Sequence, residues 1–131
     1  MKILIPPSEG KAKVKSLNIL FKDTNFPLSQ HTKQIVDLLS LIEDEDLTSI
    51  YGTTSEKSML FHRQNQDVFN SPCTYAIERY TGVVYEHISL HTLSKKAQDF
   101  MEKNVLIFSG LFGLLTPKTL IPDYKLKMNV L

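Results

Sequence analysis

Two stretches of this sequence concentrate the residue types that chemistry needs. The first is Pro7-Ser-Glu-Gly-Lys11, which sets a hydroxyl, a carboxylate, a glycine and an ammonium in four consecutive positions after the apolar Ile3-Leu-Ile5. A lysine held just beyond a strand can meet a phosphate as a point charge. The alternative is a solvated loop lysine. The stretch is not a P-loop, because Gly10-Lys11 is followed by Ala12 and Lys13 where Ser or Thr is required. The second stretch is Val105-Leu-Ile-Phe-Ser-Gly-Leu-Phe-Gly-Leu-Leu-Thr-Pro117, running on to Ile121-Pro-Asp-Tyr124. Here an apolar strand breaks into Ser109-Gly110 and Gly113. Ser109-Gly110 can present backbone N–H groups to an anion at a helix start. The alternative is a tight strand-to-helix turn whose glycines serve packing alone. Tyr124 and Lys125 add polar groups to an otherwise apolar corner.

The other reactive residue types point less far. His87 and His91 stand four apart, a spacing that faces one side of a helix. The zincin pattern needs a glutamate directly after the first histidine, and Ile88 is there. The pair reads as solvated or capping. Cys73 has no partner base in the sequence and reads as a small core residue. Glu43-Asp-Glu-Asp46 lacks the glycine and alternating ligands of a calcium loop and reads as a solvated helix junction. No metal or cofactor is expected from these residues.

The elements that must position the two stretches follow from patterning. Ile3-Leu-Ile5 is a buried strand stopped by Pro6-Pro7. Leu28 to Ile42 has helical spacing, with Ser29 as N-cap and Ile35, Leu38, Leu39 and Ile42 on one face. Asp46 caps a short helix, Leu47 to Tyr51, that Gly52 ends. Ser55 opens another, ended by Asn70-Ser-Pro72. Thr74 to Ile77 has strand character. Ser94 to Asn104 reads as a helix with Ala97, Phe100 and Met101 inward, and Val105 to Phe108 is the next strand. These alternations imply an α/β or α+β domain, with a mixed sheet and flanking helices.

A chain of 131 residues fits one domain, and its 42% hydrophobic fraction suffices for a core. The net charge of +1 excludes polyanion binding by overall charge, so a nucleic-acid role needs a local basic patch. Four lysines against one glutamate between Met1 and Leu20 supply a basic end. A single cysteine and no membrane-length apolar run lead to the expectation of a soluble cytoplasmic protein.

Three ordered motifs resemble the YaaA family of bacterial peroxide-stress proteins. They are Ile5-Pro-Pro-Ser-Glu-Gly-Lys11, Tyr80-Thr-Gly82, and Phe108-Ser-Gly-Leu-Phe-Gly-Leu-Leu-Thr-Pro117 followed by Ile121-Pro-Asp-Tyr-Lys-Leu-Lys-Met128. The sequence departs from the family pattern at Phe112, usually tyrosine, and Thr116, usually arginine. The resemblance covers the N-terminal half or so of the family, so the α/β fold is expected to be incomplete at its C-terminus. Apolar surface left exposed there would favour self-association. The resemblance implies a cytoplasmic protein of the peroxide response that limits iron-driven oxidative damage. It also implies a positively charged cleft and a helix-hairpin-helix-like element that binds DNA.

Two functions follow. In the first, lysines at 2, 11, 13, 15, 118, 125 and 127 line one cleft and hold double-stranded DNA without reading its sequence. The binding residues are then Lys11, Lys13, Tyr80, Ser109, Gly110, Gly113, Tyr124 and Lys125. In the alternative, an enzyme acts on a nucleotide or nucleobase. Lys11, Ser109 and Tyr124 then converge on a phosphorylated ligand, with Glu9 or Glu78 as acid/base. A third reading is a partner-dependent fragment without activity of its own.

Overall fold

The apolar runs at the two ends of the chain find each other. In the computed structural model, which describes residues 1–128, β1 (Ile3–Ile5) lies against a strand formed some hundred residues later. Between them come α1 (Ser29–Ser40), α2 (Leu47–Tyr51), α3 (Ser55–Gln66), β2 (Thr74–Tyr75), α4 (Ala76–Arg79), α5 (Val83–Glu86) and α6 (Lys95–Asn104). Then follow β3 (Val105–Ser109), β4 (Gly113–Leu115) and β5 (Leu120–Ile121). β3 pairs parallel with β1 and antiparallel with β4, giving a mixed sheet of order β1-β3-β4; β2 and β5 form a separate antiparallel pair. Strands and flanking helices together make the α/β fold that the patterning predicts.

Alternation along β3 fixes which face is core. Val105, Ile107 and Ser109 are buried, and Ile5 and Leu115 join them from the neighbouring strands. The opposite face carries Leu4 and Leu114, 56% and 44% exposed, beside the half-buried Leu106 and Phe108. Among the described residues no helix is long and apolar enough to cross a membrane.

Several local expectations change in the folded chain. Ser109-Gly110 does not start a helix. Gly113, at φ +81°, instead turns the chain back as β4, making a hairpin. Thr74–Tyr75 is strand, but Ala76 to Arg79 is helical, because Ala76 and Ile77 donate to Thr119 and Pro117 carbonyls in place of a strand ladder. In α1 the buried face is Thr32, Val36 and Leu39, while Leu38 is 60% exposed. Ser29 is the first helical residue and makes no cap; Leu28 precedes it. The cap of α3 is Thr54, whose hydroxyl accepts from Lys57 N–H. Phe100, expected inward on α6, is half exposed.

The segment from Lys11 to Leu20 runs antiparallel to residues 72–80. Its ties are bridges at Lys11–Tyr80 and Leu20–Pro72, and bonds from Ala12 N to Arg79 O (2.6 Å) and Leu17 N to Cys73 O (2.8 Å). This lane carries the end of the first motif to Tyr80. Arg79 is buried in the same lane, and its guanidinium donates to the carbonyls of Ala12 and Ile121.

An aromatic cluster anchors the hairpin. The Phe112 ring is 5.0 Å from Phe21, 5.0 Å from Tyr124 and 6.2 Å from Phe26, the last two edge-on, as ring quadrupoles favour. Phe112→Ala should therefore lower unfolding stability by about 3–5 kcal/mol in urea denaturation, the range for emptying a buried aromatic position. An unchanged midpoint would mean that the cluster does not hold the hairpin.

Candidate functional site

The parallel strands β1 and β3 end side by side, at the edge of an α/β sheet where ligands commonly bind. The Pro7–Lys11 loop leaves the end of β1. Its shape is set by Ser8, whose hydroxyl donates to Gly10 O (2.7 Å) and accepts from Thr81 N–H (3.0 Å). The loop passes so close to Thr81 that a Cβ on Gly10 would stand 2.3 Å from the Thr81 hydroxyl oxygen. A side chain there would force the Thr81 hydroxyl to swing away.

Ser109 ends β3 as a junction of hydrogen bonds. A serine hydroxyl has one donor and two acceptor sites. Leu111 N–H (3.3 Å) and Phe112 N–H (3.0 Å) occupy the acceptor sites, and the hydroxyl donates to the Tyr124 oxygen at 2.8 Å. Tyr124 and Tyr80 then share a hydrogen bond of 2.6 Å. All three side chains are buried, and burial pushes both tyrosines well above the ordinary phenol range. The turn N–H groups are thus spent on Ser109 and are not presented to an anion.

Lys11 lies over both phenol rings, its Nζ 5.2 Å from the Tyr80 centroid and 4.7 Å from that of Tyr124. It donates to Ser8 O (2.7 Å) and Glu9 O (3.1 Å). Lys125 Nζ also donates to Glu9 O at 3.1 Å, so two ammonium groups share one carbonyl oxygen. Burial first, and the charge of Lys125 second, lower the Lys11 pKa to about 8, against weaker opposing effects of Asp123 and Glu9.

Lys125 is itself held in place. Asn65, fully buried on α3, accepts from Lys125 N–H (3.0 Å) and donates to Lys125 O (2.7 Å) and to the Tyr51 hydroxyl (3.1 Å). The last segment also crosses the hairpin turn at close range, since a Cβ on Gly110 would meet Leu126 O at 2.8 Å.

These parts enclose a cleft of about 260 Å³ lined by Pro7, Ser8, Glu9, Lys11, Lys125, Leu126, Lys127 and Met128. A smaller cavity of about 140 Å³ shares Glu9, Lys11 and Lys125 and adds Phe61, Asp123 and Tyr124. Lys127 closes the rim, 3.3 Å from the Glu9 carboxylate.

Of the residues singled out from sequence, Lys11, Tyr80, Ser109, Tyr124 and Lys125 come together, and Glu9 stands beside them. Lys13 is exposed and lines neither cavity. Gly110 and Gly113 shape the hairpin and line neither cavity. The expectation that seven lysines share one cleft is corrected: only Lys11, Lys125 and Lys127 line it. Lys2 donates to Lys103 O, and Lys118 N–H to the Glu102 carboxylate, both at the far end of the strands. Glu78 stands 3.7 Å from the His91 ring, away from the cleft. His87 and His91 do not share a helix, because α5 ends at Glu86 and His91 lies in a separate 3-10 turn, Leu90–Thr92. Cys73 is buried, which raises its thiol pKa to about 11. Asn65 was not singled out, and Ser8 and Thr81 were noted within their motifs but not as partners of each other. No local sign marks Asn65, which stands near the end of α3 and whose partners lie on Lys125, sixty residues along the chain.

The family model for the peroxide stress protein YaaA matches residues 1–131. An uncharacterized protein of Campylobacter jejuni is 32% identical over 139 residues, covering 98% of this chain and 54% of that protein. A UPF0246 protein of Streptococcus agalactiae is 31% identical over 131 residues, covering 98% of this chain and 51% of its own length. One from Rickettsia conorii is 28% identical over 97 residues, covering 74% and 39%. The chain spans about half the length of the first two relatives.

Two outcomes follow from this geometry. The folded value of Lys11 lies below its ordinary 10.5, so the unfolded chain holds more protons between about 8 and 10.5. Stability should gain from Lys11 as pH rises through that window, and NMR should find a side-chain titration midpoint near 8 that rises in Lys125→Gln; a midpoint unmoved by that change would reject the coupling. Asn65→Ala leaves the Lys125 backbone N–H and C=O unpaired and should cost about 1–3 kcal/mol in denaturant, while also moving the Lys11 midpoint upward as Lys125 is released.

Proposed function

The chain belongs to the YaaA peroxide-stress family, and from that premise we propose that it serves the peroxide response by binding DNA through the basic cleft. Binding is to the phosphate backbone of a duplex, without sequence readout, and helps limit iron-driven oxidative damage at the DNA. The observation that carries this reading is the pair of ammonium groups, Lys11 and Lys125, on the single Glu9 carbonyl. Holding two like charges together costs free energy, and an anion placed between them relieves that cost. Lys127 extends the positive rim, and its partner Glu9 is exposed enough to turn away. Phosphate contacts of this kind position a protein on DNA and carry no base information.

The charge distribution limits how strong such binding is. The acidic run Glu43–Asp46 lines neither cavity, so the local field at the cleft is set by three lysines against Glu9 and Asp123. Three phosphate contacts on a duplex give a salt slope near −3, since each contact contributes about −0.9 to the slope of log K against log salt.

The test is duplex-DNA affinity measured across salt concentrations. Wild type should bind at low salt with that slope, and Lys11→Ala, Lys125→Ala and Lys127→Ala should each reduce its magnitude by about 1. Affinity that is equal for unrelated sequences belongs to the same expectation. Absence of binding at low salt, or a slope unmoved by all three substitutions, would overturn the reading.

A further inference from the structure

Lys11 has features that phosphate binding alone does not use. A charge that only meets phosphate is well placed at a partly solvated rim, where Lys127 stands. Lys11 is instead drawn back over two phenol faces, with two of its N–H groups spent on the Ser8 and Glu9 carbonyls. An amine has three hydrogens when charged, and two with a lone pair when neutral. With two positions taken by carbonyls, the third is a proton in the charged form and a lone pair in the neutral form. Among the described residues no further acceptor is bonded to it. Lys11 lines both cavities, so the nitrogen lies where a ligand enters.

We infer that Lys11 is a nucleophilic amine that captures an aldehyde carried on a phosphorylated sugar. Lys125 and Lys127 hold the phosphate. In the step itself, the neutral nitrogen attacks the carbonyl carbon and forms the C–N bond. The carbonyl oxygen takes up one proton from the amine and one from solvent and leaves as water, which gives the protonated iminium. Loss of the remaining N–H proton to solvent gives the neutral imine, and no oxidant or reductant is consumed. The Tyr80 and Tyr124 ring faces that now meet an ammonium would attract the iminium cation by the same cation–π interaction. The hydroxyl chain from Ser109 keeps both rings fixed. Desolvation of this kind is a recognised way to make a lysine nucleophilic. With a pKa of about 8, the neutral fraction at pH 7 is about 300-fold that of a lysine at 10.5.

A cleft of about 260 Å³ admits one sugar-phosphate unit of a backbone laid along its rim, not the width of a duplex. The chemistry therefore has two sources: a free aldose phosphate, or an abasic position in DNA whose opened sugar carries an aldehyde between phosphates. The second rests on the DNA-binding reading above, and the first does not. Base loss and sugar damage are products that peroxide chemistry leaves in DNA, which favours the abasic position.

The experiment is reductive trapping with borohydride, which converts the imine to a stable secondary amine. The intact protein is incubated separately with an abasic duplex, with the matching undamaged duplex, and with deoxyribose 5-phosphate. The adduct is then mapped by peptide mass spectrometry. The expected result is an adduct with the abasic duplex, on Lys11 at least roughly tenfold above any other lysine, and none with the undamaged duplex. Its yield should rise from pH 6 to pH 8, and the groups facing Lys11 that can shape this profile are Lys125, Asp123, Glu9, Tyr80 and Tyr124. Lys11→Arg, which removes the nucleophile, should abolish the adduct, whereas Lys95→Arg, on the exposed face of α6, should leave it in place. An adduct only with the free sugar phosphate keeps the site and assigns its ligand as a small molecule. Adducts spread evenly over the lysines, or none on Lys11 with any probe, would overturn the inference. Duplex affinity measured without borohydride separates that failure from failure of the DNA-binding reading.

Discussion

The site depends on one constraint: three buried hydroxyls must satisfy one another. Leaving a buried hydroxyl without a partner costs about 1–3 kcal/mol, so Ser109, Tyr124 and Tyr80 are bound to a common geometry. They come from the end of β3, the final segment and the lane beside Lys11. Their mutual bonds join parts of the chain that strand pairing alone would not bring together. Ser109 also accepts the two turn N–H groups, so the same atom that orients Tyr124 sets the hairpin. Tyr124 then packs edge-to-face with Phe112, and through it the aromatic core bears on the site. Packing and polar satisfaction converge on the same placement of two phenol rings, and those rings receive Lys11.

Against this rigid floor stands an electrostatic tension. Lys11 and Lys125 share the Glu9 carbonyl, and burial penalises the charge of Lys11 further. The fold sustains this because the groups responsible are fixed independently. Asn65 clamps the Lys125 backbone from α3, and the Ser8–Thr81 bond fixes the loop that carries Lys11. Neither tie involves the ammonium groups. The backbone of the site is held before an anion or a carbonyl arrives, as preorganisation requires, and only exposed groups such as the Glu9 carboxylate need turn away.

Much of this was legible in the sequence, and the reasons are local. Lys11, Ser109 and Tyr124 stood out because proline and glycine punctuate the chain around them, and such punctuation marks where backbones approach closely. The mixed sheet was legible from short apolar runs of strand length. What was not legible depended on distant partners. Ser109-Gly110 looks the same before a helix as before a hairpin; the choice falls to Gly113 and to the pairing of Leu114 and Leu115 with β3. Thr74 to Ile77 has strand-forming residues throughout, yet the Thr119 and Pro117 carbonyls end the strand after two. Asn65 was invisible because its value lies in a backbone sixty residues away. The lysines misled for a related reason: their number was countable, but the end of the strands to which each belongs was not.

The two departures from the family pattern can now be weighed by position. Phe112 replaces a tyrosine, but its ring is buried among Phe21, Phe26 and Tyr124. A hydroxyl there would need its own partner. Its absence leaves the Ser109–Tyr124–Tyr80 chain complete and removes a polar group from the apolar side of the hairpin. Thr116 replaces an arginine at the other end of β4, where its hydroxyl and backbone N–H pair with the Thr119 side chain. A cation is lost at that end of the strands, remote from the cleft. The Thr116–Thr119 turn instead orders the approach to β5, which pairs with β2 and so steadies the stretch leading to Tyr80. Both residues therefore act on packing and turn geometry and leave the charged and hydroxyl groups of the cleft intact.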